Sequence, residues 1–422
     1  MVKKKIMLVL VSVVLCLAGR AGFASDKAVQ AAGKEKVSHV KPQVQWARMY
    51  SHDDWSDREH SLIQSSDGGY YVTGQSSRKN RQGKYDRKLW IWKLDANGNR
   101  LWAETPDIPG IDESRRIGWD AVLSLKKERV ILVYENVFKT GTWLMIMKFN
   151  EGGEITFAKK LELGKNSHVL RNFQRTKGGL LISGQKLGKL KDAWVLKIDD
   201  KGNELWQKNY DKGKSEDAMC MAVADDGSFI LAANSGEYNK FGGGQSNIWI
   251  IKCDRQGNVI SEATFEGRHP TIAITKDGIC AVSFNKASFP KVDLQIMGLD
   301  EKLNKIWGPH TLYEGQGVGI YNIKTDGAGN FIIAGSKFME VWLWKYDRKG
   351  NEIWSIPVRT QMAAPLIHLL ITTENEYILA GSGMDLALAI ENYDPNQKKP
   401  EPDEHRDNMD IFIAKVNELI KN

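Results

Sequence analysis

The chain has 422 residues, 42% of them hydrophobic, with 59 Lys and Arg against 52 Asp and Glu, which gives a net charge of +7. Four basic residues lie close to the N-terminus (Lys3, Lys4, Lys5 and Arg20), and without them the net charge is +3 (7 − 4). Such a small excess of positive charge in a chain of this length gives no reason to expect nucleic acid as a partner.

The N-terminus has the pattern of a secretory signal peptide. A basic run precedes an apolar stretch from Ile6 to Ala18, and Gly22-Phe23-Ala24 supplies small residues before a cleavage site. We therefore expect residues 1–24 to be removed, residues 25–43 to be a flexible leader, and the protein to be periplasmic or extracellular. Large residues precede Cys16, so no lipid anchor is expected. No later apolar stretch is long enough to predict a transmembrane helix.

Three cysteines remain after the signal peptide: Cys220, Cys253 and Cys280. An odd number in an exported protein does not form a closed disulfide framework. All three lie among apolar residues, so they are predicted to be small buried hydrophobes. A single disulfide is the alternative.

A phrase of strand, tight turn and strand recurs seven times along the chain. Full copies run over Trp90–Trp102 (WIWKLDANGNRLW), Trp194–Trp206 and Trp342–Trp354. Weaker copies begin at Leu144, Ile248 and Leu294, and a truncated copy begins at Ile411. A second phrase precedes each copy, for example SLIQSSDGGYYVTGQ over Ser61–Gln75, and it predicts a hairpin because glycine accepts positive φ in the turn. All-strand repeats of roughly 50 residues are typical of a β-propeller.

Joining the two phrases gives four strands per repeat, named A to D here, and an all-β fold: a seven-bladed β-propeller with four-stranded antiparallel blades. The last repeat lacks a D strand, and residues 44–50 (VQWARMY) match the D strands elsewhere. We therefore expect this N-terminal strand to complete the last blade and remove an open sheet edge. The propeller would cover residues 44–417, with blades at about 60–105, 120–163, 168–211, 217–265, 270–312, 320–358 and 366–417 and a flexible insertion at 383–410.

The tryptophans and the Asp-x-x-Gly-Asn turns are interpreted as structural. Twelve of 14 Trp fall at repeat-equivalent places on C and D strands, which favours packing between blades over a ligand platform. The turn at Asp95-Ala-Asn97-Gly-Asn99 resembles the start of a calcium loop, yet no Glu closes it at the twelfth position. Asp and Asn are expected to cap these turns, and no metal and no cofactor are expected.

The C–D phrase resembles the repeat of pyrroloquinoline-quinone-type propellers, which runs Ala-x-Asp-x-x-Thr-Gly-x-x-x-Trp. Leu94–Trp102 and Ile198–Trp206 are close to it, with Asn97 and Lys201 in place of the Thr. The chain is similar also to secreted bacterial repeat proteins with the pattern SDGGYIIAG…WxxKxDxxGNxxW, over residues 44–417. This resemblance implies a propeller of the same general class as WD40-like repeats. It implies little about function, because propellers serve many functions.

Strand order predicts where a site would lie. The short A–B and C–D turns share one rim, and the D–A and B–C loops share the other, where long and dissimilar loops favour function. Charged residues in those loops, histidines and one tryptophan are the candidate ligand-binding residues, and the charged ones would line a polar funnel at the central opening. They are His52, Asp53, Asp54, Trp55, Arg58, Glu59, His60, Asp112, Glu113, Arg115, Arg116, Glu216, Asp217, Arg268 and His269.

Two functions follow as alternatives. The first is an exported binding module, expected to be a monomer, which holds a protein or glycan partner on the long-loop face. The second is a hydrolase or lyase that acts on a glycan or another small polar substrate in the funnel. Catalysis would need two titratable groups held close together with pKa values pushed apart, and no catalytic residue is assigned.

Overall fold

A computed structural model of the chain describes residues 41–51, 56–79, 85–106, 117–125, 128–137, 141–164, 168–236, 246–288, 291–315, 318–337, 340–358, 362–385 and 410–419. The predicted signal peptide and nearly all of the predicted leader lie outside these residues. Within the described part of the chain, no helix is both long and apolar enough to cross a membrane.

The described residues form 28 strands. β1 is Lys41–Tyr50. Blade 1 contains β2 (Ser56–Gln64), β3 (Tyr70–Lys79), β4 (Tyr85–Leu94) and β5 (Arg100–Glu104). Blade 2 contains β6 (Ile117–Leu125), β7 (Glu128–Val137), β8 (Gly141–Phe149) and β9 (Ile155–Glu162). Blade 3 contains β10 (His168–Thr176), β11 (Gly179–Leu187), β12 (Lys191–Ile198) and β13 (Glu204–Tyr210).

The second half of the chain repeats the pattern. Blade 4 contains β14 (Ser215–Val223), β15 (Phe229–Gly236), β16 (Ser246–Cys253) and β17 (Val259–Glu266). Blade 5 contains β18 (Arg268–Ile274), β19 (Cys280–Ser288), β20 (Lys291–Leu299) and β21 (Lys305–Gly315). Blade 6 contains β22 (Val318–Thr325), β23 (Phe331–Lys337), β24 (Glu340–Tyr346) and β25 (Glu352–Val358). The last strands are β26 (Met362–Ile371), β27 (Tyr377–Asp385) and β28 (Asp410–Leu419).

Two kinds of sheet make up the β-propeller. Six blades, as far as the structure describes the chain, are each built from four consecutive antiparallel strands. One further four-stranded sheet, called blade 7 here, has the order β1-β28-β27-β26 and so combines both ends of the described chain. The A strands contact one another in the cyclic order β2, β6, β10, β14, β18, β22, β26 and back to β2, which closes the ring.

β1 begins earlier than the sequence analysis predicts. Its first residue is Lys41, and Lys41 to Gln43 pair with Leu419 to Asn417 at the end of β28. These three residues, which the sequence analysis assigns to the leader, therefore form part of the outer strand. Strands take up both ends of the insertion predicted at 383–410, because β27 continues to Asp385 and β28 begins at Asp410. Residues 386–409 lie outside the described part of the chain.

The hairpin turns have the structure that the sequence predicts. In the C–D turn of blade 1, Asp95 Oδ1 accepts hydrogen bonds from the amides of Asn97 and Asn99, both at 2.8 Å, and Asn99 Nδ2 donates to Asp95 Oδ2. Gly98 has a φ of 77°. The Asp and Asn side chains thus cap the turn while glycine takes the left-handed conformation. The corresponding turns at Asp199, Asp254, Asp300 and Asp347 repeat these bonds.

The D-strand tryptophans join neighbouring blades, as the sequence analysis predicts. A Cβ atom added at Gly98 would lie 2.8 Å from the ring of Trp46 in blade 7. A Cβ added at Gly257 would lie 3.0 Å from the ring of Trp206 in blade 3. The Trp ring of one blade therefore lies flat against the C–D glycine of the next blade, where no larger residue fits without movement.

The Lys of the W-x-x-K-x-D phrase has a structural role that the sequence analysis does not assign. Lys93 Nζ lies 2.7 Å from Asp67 Oδ1, and Lys197 Nζ donates to Thr176 Oγ1 at 2.8 Å. Lys345 Nζ lies 2.9 Å from Asp326 Oδ2. In these blades the ammonium on the C strand holds the A–B turn of its own blade. Because these lysines are largely buried, each needs such a partner.

Candidate functional site

The beginnings of the A strands position the candidate site. Each A strand is interrupted by a β-bulge near its start, for example between Leu170 and Asn172 and between Ala218 and Cys220. A bulge places two residues opposite one and turns the local strand direction. The extra residue in blade 3 is Arg171, which is directed toward blade 4.

Charged residues lie near the starts of the A strands of three consecutive blades. Arg171 of blade 3 and Asp217 of blade 4 form a two-pronged ion pair, with Nη2 to Oδ2 at 3.0 Å and Nε to Oδ1 at 3.3 Å. Arg268 and His269 begin the A strand of blade 5, and the electrostatic influence of Asp217 reaches His269. We call Arg171, Asp217, Arg268 and His269 the inner-strand cluster.

His269 has an unusual backbone and an altered pKa. Its φ of 52° lies in the left-handed region, and its amide donates to Asn234 Oδ1 of blade 4 at 2.8 Å. Water reaches the imidazole, but the protein atoms that partly bury it disfavour its charged form and so lower the pKa of His269. The positive charge of the Arg268 guanidinium lowers this pKa further. His269 is therefore neutral near pH 7, and the cluster has two guanidinium groups against one carboxylate.

Glu216, which the sequence analysis assigns to the same funnel, lies elsewhere. Adjacent strand residues point to opposite sheet faces, and Glu216 shares a face of β14 with Ala218, which packs against blade 3. Glu216 is completely buried, and Ser235 Oγ donates to its Oε1 at 3.1 Å. Its carboxylate lies with those of Asp192 and Asp211, their ligand atoms within 4.8 Å of one another.

The other predicted residues are placed only in part. Arg58 is an exposed residue of β2, while Glu59 and His60 lie in the bulged part of that strand, with side chains outside the described part of the structure. The described part of the structure therefore does not test whether Arg58, Glu59 and His60 line the predicted funnel. The predicted residues His52, Asp53, Asp54, Trp55, Asp112, Glu113, Arg115 and Arg116 lie outside the described residues.

Three residues of these two groups were missed from the sequence: Arg171, Asp192 and Asp211. Arg171 stands at the bulge position of a strand whose sequence, HVLRNFQRT, alternates too weakly to show which face it occupies. Asp192 and Asp211 are single acids beside lysines, which are typical of solvated strand ends. The equivalence of A-strand starts among repeats could have identified Arg171, but no sequence signal joins Asp192 to Glu216.

The connections on this rim differ strongly in length. Only Gly267 separates β17 from β18, and residues 211–214 separate β13 from β14. In contrast, residues 105–116 connect β5 to β6, and residues 237–245 connect β15 to β16. The inner-strand cluster lies where the connections are short, so its geometry is set by the sheets rather than by long loops.

The three cysteines are free thiols in the structure. Burial raises the pKa of Cys220 and of Cys280 to about 12 and that of Cys253 to about 11. Cys220 Sγ donates to the carbonyl of Pro270 at 3.3 Å. A thiol with a raised pKa is a poor nucleophile, which agrees with the prediction of small buried hydrophobes.

Comparison with known proteins gives no family. No family model and no curated protein matches the chain. Solved structures that it resembles include a puromycin hydrolase mutant complexed with PGG (14% identity, TM-score 0.46, 79% of this chain and 52% of that chain). Others are Drosophila Plexin A in complex with Semaphorin 1b (8%, 0.46, 89% and 87%) and a Synechocystis apocarotenoid oxygenase mutant (11%, 0.41, 78% and 95%). The chain thus spans about half the length of the hydrolase.

Proposed function

We propose that the protein is an exported binding module that holds an acidic glycan at the inner-strand cluster, on the rim of the D–A and B–C connections. The observation that carries this proposal is the Arg171–Asp217 ion pair between blades 3 and 4, together with the position of Arg268 at the start of the A strand of blade 5. The guanidinium group presents a planar fork of donors that matches a carboxylate or sulfate. Arg171 is already held in place by Asp217, so less side-chain freedom is lost when a ligand binds.

The neutral His269 adds to this recognition. A neutral imidazole has one donor and one acceptor nitrogen, which suits the hydroxyl groups of a sugar. Its backbone is held by Asn234, and residues of three consecutive blades therefore present fixed groups to one ligand. Within the described residues, the inner-strand cluster holds one carboxylate, Asp217, which Arg171 already pairs. For this reason we propose binding rather than the acid–base chemistry of a glycan hydrolase or lyase.

The test is a thermal-shift and calorimetric comparison of acidic glycans with neutral glycans of similar length. A ligand at 100 times its Kd should stabilise the protein by about 2.7 kcal/mol. We expect Arg268→Ala to weaken binding of the acidic glycan at least about tenfold, since hydrogen bonds to charged groups contribute about 1.5–3 kcal/mol. Arg255→Ala is the matched control, because Arg255 is an exposed arginine in the C–D turn of blade 4, on the opposite rim.

Equal binding by wild type and Arg268→Ala would contradict the proposed site. A thermal shift with neutral glycans alone would contradict the proposed ligand class. If no glycan binds, the same two variants serve as baits in a pull-down from an envelope extract. A protein captured by wild type and Arg255→Ala, but not by Arg268→Ala, would replace the glycan with a protein partner at the same site.

A further inference from the structure

Three carboxylates of different elements converge at the junction of blades 3 and 4. Asp192 lies on the C strand β12, Asp211 follows the D strand β13, and Glu216 lies on the A strand β14. One oxygen atom of each lies within 4.8 Å of the other two. Calcium binds oxygen ligands at 2.3–2.6 Å, so ligands on opposite sides of one ion are about 4.6–5.2 Å apart. The three oxygen atoms thus fit around a single ion.

The two oxygen atoms of Glu216 have different surroundings. Oε1 accepts hydrogen bonds from Ser235 Oγ at 3.1 Å and from the amide of Lys214 at 3.2 Å. Oε2 is buried and accepts no hydrogen bond, although Glu216 is completely inaccessible to solvent. A buried carboxylate oxygen without a partner costs free energy. A cation bound to Oε2 would supply the missing partner.

The lysine that follows Asp211 in the chain has other partners. The Lys212 ammonium does not neutralise the group, because its Nζ donates to Thr264 Oγ1 at 2.8 Å and lies 5.2 Å from the centre of the Trp249 ring.

We propose that Asp192, Asp211 and Glu216 bind a calcium ion between blades 3 and 4. All three ligands are hard oxygen donors, which suit Ca²⁺ rather than metals that prefer nitrogen or sulfur. Backbone carbonyls and water would complete the coordination, as is usual for this ion. The ion joins a C strand, a D–A connection and the A strand of the next blade. It therefore stabilises the junction beside Asp217 of the inner-strand cluster.

Calorimetry of the chelator-treated protein with CaCl₂ tests the site, and thermal unfolding with and without Ca²⁺ gives a second measurement. We expect one binding site and a higher midpoint of unfolding in Ca²⁺. Asp211→Asn should lower the affinity at least about tenfold, because the charge of the ligands sets calcium affinity. Asp211 is exposed, and its side chain accepts a bond from the Gly213 amide that Asn can also accept, so this variant should fold. Glu216→Gln should likewise lose the midpoint shift.

Asp200→Asn is the matched control, since Asp200 is an exposed acid in the C–D turn of blade 3. It should bind Ca²⁺ as the wild type does. The proposal is overturned if the wild type shows no Ca²⁺ binding up to about 10 mM, ten times the weak end of the range for extracellular modules. It is equally overturned if Asp211→Asn and Glu216→Gln retain wild-type affinity, or if Zn²⁺ binds and Ca²⁺ does not.

Discussion

Blades 4 and 5 meet through a pair of residues that departs from the repeat. At four other junctions a D-strand Trp lies against the C–D glycine of the next blade, as Trp206 does against Gly257. Blade 4 has Ser261 at the Trp position, paired with Lys252 as Trp206 is paired with Lys197. Blade 5 has Leu303 at the glycine position, with a φ of 66° and an exposed fraction of 3%. We infer that the Leu303 side chain fills the space that a Trp ring fills elsewhere.

Replacing Leu303 by the glycine of the other repeats changes two opposing contributions. Glycine relieves the left-handed strain of a non-glycine residue, which costs about 1–2 kcal/mol. It also removes a buried side chain, which costs about 2–5 kcal/mol, and adds backbone entropy to the unfolded chain, about 0.5–1 kcal/mol. The loss of burial is the larger effect, so Leu303→Gly should lower the free energy of unfolding by about 2 kcal/mol.

A double-mutant cycle measured by urea unfolding checks this inference. Ser261→Trp alone should destabilise by about 1–3 kcal/mol, because the ring would compete with Leu303 for the same space. The pair of substitutions together should recover stability, with a coupling of about 1–3 kcal/mol. An unfolding free energy for Leu303→Gly equal to or above that of the wild type would refute the reasoning. So would strictly additive effects of the two substitutions.

Two further predictions concern buried polar contacts. Lys345→Met leaves the buried Asp326 carboxylate without its ammonium partner at 2.9 Å and should cost about 3–5 kcal/mol near pH 7. Burial would raise the pKa of Asp326, but hydrogen bonds from Asn330 and Lys345 outweigh it and lower the pKa. The stabilisation that the ionised Asp326 gives the wild type is therefore present above the ordinary aspartate pKa and is lost as the pH falls through the depressed value. The difference in unfolding free energy between wild type and Lys345→Met, measured in urea, should therefore become smaller below about pH 4. Parallel pH profiles of the two proteins would contradict this. Tyr210→Phe removes the hydroxyl that donates to the Gly257 carbonyl of the next blade at 3.0 Å, and it should lower the unfolding free energy by about 1–2 kcal/mol; an unchanged urea midpoint would count against this contact.

The repeated turns made the fold predictable from the sequence. Asp-x-x-Gly-Asn and Asp-Gly turns act locally, so each marks its hairpin without knowledge of the rest of the chain. The role of Leu303 was not predictable in the same way. Leu303 stands where the other repeats have glycine. The physical reason for a leucine there is that blade 4 has Ser261 where other blades have a Trp. To predict a contact between two repeats, one must know the strand register of both blades.

The candidate site was predictable only to the level of strand starts. The sequence analysis places Glu216, Asp217, Arg268 and His269 on one rim. The structure pairs Asp217 with Arg171 and places Arg268 and His269 at the start of the next A strand. It separates Glu216 from Asp217, because neighbouring strand residues face opposite sides of the sheet. The charge pattern of the sequence does not show this separation, because Glu216 and Asp217 carry the same charge and differ only in side-chain length.

This alternation has a functional consequence at the junction of blades 3 and 4. Glu216 faces blade 3 and is completely buried, with its carboxylate close to those of Asp192 and Asp211, whereas Asp217 holds Arg171 at the inner-strand cluster. One strand thus presents a carboxylate suited to a cation on one face and a carboxylate that orients an arginine on the other. A cation bound on the buried face would fix the start of β14 and with it the position of Asp217. The two proposed sites therefore use different residues, yet they depend on the same stretch of backbone.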